Sequence, residues 1–135
     1  MWQGSALNWF SIFQFSIFHF VAITLVSTLT TLLIGADNLG KQSSIDSLVY
    51  FQAPSAFVGL VVLSFYARGQ KSQTLLHLTT VVVISDIFGF VILSAIMGKL
   101  YFAPTWAIDL PIAAFTILAA TYIGSHFRGV NEKAT

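Results

Sequence analysis

At 135 residues, 56% hydrophobic and only 8% charged, with a mean hydropathy of +0.84, the chain lacks the polar surface that a soluble domain of this size presents to water. Its net charge of +1, from 6 Lys+Arg against 5 Asp+Glu, gives no basic footprint for nucleic acid and no acidic field for steering cations. The absence of cysteine excludes disulfides, thiol catalysis, iron–sulfur clusters and cysteine-ligated zinc.

The start, Met1-Trp2-Gln3-Gly4-Ser5, carries no Lys or Arg. The apolar run behind it is too long for a signal-peptide core and is followed by no A-x-A-like site, so it reads as retained. Residues 1–12 are aromatic-rich and read as a candidate interfacial segment lying on the bilayer. Four apolar runs follow, and the expected spans are about 13–34, 47–67, 74–97 and 104–126. Each is close to the ~20 residues a helix needs to cross ~30 Å of hydrocarbon. Their continuous apolar character, without period-2 alternation, disfavours a β-barrel.

The expected fold is therefore all-α and integral to a membrane: one domain, 1–135, of four transmembrane helices in an up-down bundle. Four spans in 135 residues leave no loop large enough for a folded domain, so function must lie between the helices or at their ends. Arg68, Lys71, Arg128 and Lys133 fall on the side of the two termini, and Lys41 and Lys99 on the other. The positive-inside rule then expects N-in and C-in, with Tyr101, Phe102 and Trp106 in an outer aromatic belt.

The loops are short and turn-rich at Gly35–Ser44, Arg68–Ser72 and Met97–Lys99. None resembles a phosphate-cradling loop, and the H-E-x-x-H, G-x-S-x-G and EF-hand patterns are missing. An offset of 57 or 58 residues brings His19 onto His77, Ser27 onto Ser85, Gly40-Lys41 onto Gly98-Lys99 and Pro54 onto Pro111. The expectation is a tandem repeat of a two-helix hairpin. In both halves a polar residue precedes a proline by two positions, Gln52 before Pro54 and Asp109 before Pro111. That arrangement forms either an outer-side polar site at a helix break or, for Asp109, an N-cap with Pro111 in the first turn.

Asp86 falls near the middle of the third run, where an acid costs ~3 kcal/mol on insertion scales. It must face the bundle, a cavity or a partner, either as a proton or cation site or as a neutral hydrogen-bonded link between helices. His19, in the first span, is its expected partner, and Thr79 and Gly89 share its helical stripe. His19, His77 and His126 come at a similar inner depth and form a candidate site for a metal, a b-type haem or the magnesium of a chlorin. The steps Ser55-x-x-x-Gly59, Ser85-x-x-x-Gly89, Ser94-x-x-x-Gly98 and Ala120-x-x-x-Gly124 mark places where helix backbones can approach closely.

Three functions compete. The first is a structural or accessory subunit, working as a homo-oligomer or with larger integral membrane partners in the lipid bilayer and without nucleic acid. The second is an oligomeric proton- or ion-coupled transporter or channel using Asp86 and His19. The third is a haem-, chlorin- or metal-binding protein using His19 and His77, with enzymatic activity the least supported.

Overall fold

The computed structural model describes residues 7–39 and 43–132, and among these the chain is helical without a strand. Helix α1 (Trp9–Ile34) starts behind Asn8, whose side chain accepts the Ser11 N–H at 3.2 Å. Four of its hydroxyls are satisfied within the helix. Ser16 donates to the Ile12 carbonyl, Thr28 to Thr24, Thr30 to Val26 and Thr31 to Ser27, at 2.7–2.9 Å. Such bonds let a polar side chain sit in an apolar solvent without an orphan group. Because α1 already runs from Trp9, residues 9–12 continue the spanning helix, while residues 1–6 of the candidate interfacial segment lie outside the described residues.

Two single turns, α2 (Ala36–Leu39) and α3 (Ser44–Ser47), lead into the second span. At α3, Ser43 and Asp46 cap one another: the Asp46 N–H donates to Ser43 Oγ at 3.2 Å and the Ser43 N–H donates to Asp46 Oδ2 at 3.0 Å. The Ser43 hydroxyl also donates to Asp46 Oδ2, and these bonds hold the carboxyl below the usual carboxylate range. A depressed folded-state pKa gives a contribution that is complete above the ordinary carboxylate value and lost as pH falls through the folded one. Amide protection factors at 43–47 are accordingly expected to fall as pH drops below the usual carboxylate range. Unchanged protection there would contradict the cap.

A π-helical turn, Leu48–Gln52, precedes α4 (Ala53–Gly69), with Pro54 in the first turn. Proline offers no N–H to the carbonyl four residues back, and the widened turn absorbs the break. Helix α5 (Thr74–Met97) ends at Gly98, whose φ of 65° permits the left-handed stop. There Gly98 N–H donates to Ala95 O and Lys99 N–H to Ser94 O, the two bonds of a Schellman motif. Ser94 Oγ also accepts the Tyr101 N–H at 3.0 Å, which fixes the start of the next loop. Helix α6 (Trp106–Glu132) begins three residues before Asp109, so Asp109 lies in the first turn and the N-cap reading is corrected.

The four long helices, residues 9–34, 48–69, 74–97 and 106–129, are long and apolar enough to cross a membrane. They form an up-down bundle in which α4 packs most extensively on α6, α1 on α5 and α4, and α5 closes against α6. Large apolar side chains such as Phe10, Phe18, Leu25, Phe65 and Phe115 are exposed on its surface, as contact with lipid requires. The buried core lies toward the end that carries the chain termini, where Ile12, Leu63, Tyr66, Leu78, Val81 and Ala120 meet. There the Ala120–Gly124 step brings α6 against Ala67 of α4, and the Arg128 guanidinium donates to the Gln70 carbonyl. The positions equated by the 57–58-residue offset differ in surroundings, since His19 bonds Ser85 whereas His77 bonds the Gln73 carbonyl. Gln52 and Asp109, equivalent in that offset, bond each other. Gly40 and Lys41 lie outside the described residues, as does Lys133.

Candidate functional site

Toward the opposite, loop end the bundle is hollow. A cavity of about 580 Å³ is lined by all four long helices. The lining positions recur every three or four residues: 20, 23 and 27 on α1; 52, 55, 59 and 63 on the second span; 82, 86, 89 and 93 on α5; 106, 109, 113 and 116 on α6. Each helix therefore turns one stripe inward, and Tyr101, Phe102 and Ala103 from the loop before α6 also line the space. Phe102 packs on Phe90 at 5.0 Å between ring centroids.

At the deep end, His19 is buried and its Nδ1 lies 3.0 Å from Ser85 Oγ. Gly59 makes room for the ring, because a Cβ at that position would stand 3.2 Å from His19 Nε2. Gly59→Val is expected to press the imidazole off Ser85 and to destabilise the protein by about 1–3 kcal/mol, the usual range for overpacking. Thermal unfolding in detergent checks the loss, and equal stability of Gly59→Val and wild type would show that the ring has room to move. Higher in the cavity, Ser27 and Ser55 bond at 3.2 Å across α1 and α4.

Asp109 is held by two donors. Gln52 Nε2 reaches Oδ1 at 3.1 Å and the Thr105 hydroxyl reaches Oδ2 at 2.6 Å. The partner oxygen of that amide, Gln52 Oε1, is buried with no donor among the described residues. Asp86 is different. It lines the cavity at the middle of α5, is itself exposed, and has no hydrogen bond to any described residue. Among the described residues the lining contains no Lys or Arg, and Asp86 and Asp109 are its only formally charged groups there.

Asp86 and His19 thus share the cavity, but the hydrogen bond of His19 goes to Ser85, which corrects the expected direct pairing. One residue along a helix is a rotation of about 100°, enough to exchange one partner for its neighbour. Thr79, on the same stripe as Asp86 but two turns nearer the termini, lies beyond the cavity, exposed, with its hydroxyl on the Leu75 carbonyl. Pro54 sits in the first turn of α4, and Pro111 lines a small outer groove between α4 and α6. Gly89 lies beside Phe20, which would be 3.6 Å from an added Cβ.

The three histidines do not converge. His77 is buried in the terminal core with Nδ1 3.0 Å from the Gln73 carbonyl and its ring beside Tyr66, whereas His126 is exposed against Phe127. Among the described residues no group of three or more His, Cys, Asp or Glu could hold a metal ion. The sequence reading did not find the Gln52–Asp109 bond or the aromatic loop over the cavity. The offset that equates Gln52 with Asp109 was the available signal for the first, while the second depends on how the 98–105 loop folds back. Comparison with known proteins finds no match: no family model, no curated protein and no solved structure resembles the chain.

Proposed function

We propose that the protein is a small proton- or ion-coupled transporter, oriented with both termini inside, in which Asp86 is the coupling carboxyl. The observation that carries this reading is Asp86 itself, a carboxyl midway along a helix long and apolar enough to cross a membrane, which lines a cavity and is bonded to no described side chain. An acid retained only to link helices would spend its oxygens on interhelical hydrogen bonds, as Asp109 does with Gln52. A carboxyl at that depth costs ~3 kcal/mol to insert, and a role in binding protons or cations gives a reason for its presence.

In this reading Asp86 takes up a proton or cation from one side of the cavity and releases it to the other. The His19–Ser85 pair holds α1 to α5 at the deep end, and the Gln52–Asp109–Thr105 cluster holds the second and fourth spans at the loop end. The accessory-subunit reading requires no internal space. All four helices of one chain line the cavity, so a single copy is sufficient to form it.

Proteoliposomes loaded with a pH-sensitive dye test the proposal. Wild-type vesicles are expected to dissipate an imposed proton gradient faster than protein-free vesicles, and Asp86→Asn is expected to lose that excess while its helix content is retained. An Asp86→Asn protein with unchanged flux and only a lower melting temperature would overturn the reading in favour of a structural role.

A further inference from the structure

We infer that the cavity receives a hydrophobic organic monocation, such as a lipophilic amine or quaternary ammonium, with its charge beside Asp86. The inference rests on the preceding reading only in taking the cavity as a binding site. Charge is the first argument. Among the described residues the lining holds two carboxyl groups and no Lys or Arg, so an anion there would meet no countercharge. Asp109 is already engaged by Gln52 and Thr105, which leaves the Asp86 carboxyl to meet a ligand's positive charge.

The wall suits an organic cation better than a divalent inorganic one. Divalent cations take six or more oxygen ligands, and among the described residues no three metal-binding side chains come together. The rest of the lining is largely aliphatic and aromatic, with Phe51, Phe90, Tyr101 and Trp106 available to the faces of an apolar body. Aromatic faces attract organic cations through their quadrupoles, most effectively where water is displaced. At about 580 Å³ the cavity lies within the roughly 300–1,000 Å³ of small-molecule sites.

Tetraphenylphosphonium and tetraphenylborate share a shape and differ in the sign of their charge, which makes them a direct pair of probes. In calorimetric titration of the full chain in a non-ionic detergent, tetraphenylphosphonium is expected to bind with a saturable isotherm and tetraphenylborate is not. Asp86→Asn is expected to weaken tetraphenylphosphonium by roughly tenfold or more, as loss of a desolvated charge pair does. Equal binding of the two probes to wild type would overturn the inference, and that comparison needs no variant. Unchanged tetraphenylphosphonium affinity in folded Asp86→Asn would overturn it as well. Proton movement in vesicles without tetraphenylphosphonium binding would reject the ligand class and leave the coupling role standing. Binding without proton movement would support the ligand class and reject the coupling role.

Discussion

Gly124→Ala is expected to destabilise the protein by about 2 kcal/mol, although alanine favours a helix over glycine by about 1 kcal/mol. A Cβ at Gly124 would stand 2.4 Å from the Ala67 Cβ and 2.9 Å from the Ala67 carbonyl carbon and the Arg68 nitrogen. Two of those atoms are backbone, so no rotamer change relieves the contact, and α6 must move away from α4. These two helices form the most extensive pairing in the bundle, and Ala120 on the same stripe is fully buried. Gly129→Ala on the same helix is the control. A Cβ there meets nothing within 4 Å, so the substitution is expected to be neutral or slightly stabilising. The double change Ala67→Gly with Gly124→Ala is expected to recover part of the loss, because it removes the closest contact and leaves the two backbone ones. Denaturation in mixed micelles measures all three. Equal stability of Gly124→Ala and Gly129→Ala would show that α6 can move off α4 at little cost.

Ala113→Phe is expected to abolish the function of the cavity while preserving the fold. Ala113 lines the cavity from α6 and is partly buried against the upper edge of the core, so a benzyl group there enters the space directly. Filling a cavity recovers dispersion contacts that the empty wall lacks, and this offsets the strain of a larger side chain. The expected result is a melting temperature within a few degrees of wild type, proton movement reduced to the level of protein-free vesicles, and loss of tetraphenylphosphonium binding. The contrast with Asp86→Asn is informative, since one variant removes charge and keeps space while the other removes space and keeps charge. Full activity in Ala113→Phe would place the functional path outside the cavity.

The four spans were legible because the lipid requirement is written in length and composition, and the Pro54 break and the Gly98 stop carry local chemistry that the sequence displays. The Ser43-x-x-Asp46 cap was legible by the same standard, as a serine followed three residues later by an acid, and lay unnoticed in a turn-rich loop. What the sequence did not display is the rotation and depth of one helix against another. Asp86 and Thr79 do share a stripe, but only the upper part of that stripe meets the cavity, and depth along the bundle separates them. His19 lies next to α5 as expected, yet a turn of one residue gives its bond to Ser85. The three histidines look equivalent as positions near one level, and packing sends one to the cavity, one to the core and one to the surface. The cavity is lined by small residues on three of the four long helices, Gly59, Gly89, Ala56 and Ala113 among them, and by side chains that no single run reveals.

Proton coupling through Asp86 requires its carboxyl to change protonation within the membrane. Infrared difference spectroscopy of the protein in lipid, with wild type compared against Asp86→Asn, reads this directly through the carbonyl stretch of a protonated carboxyl. The expected result is a band that is present at acid pH, converts to carboxylate absorption as pH rises, and is missing from Asp86→Asn. A band assigned to Asp86 that persists unchanged across the accessible pH range would mark a permanently neutral, structural acid and rule out a coupling role.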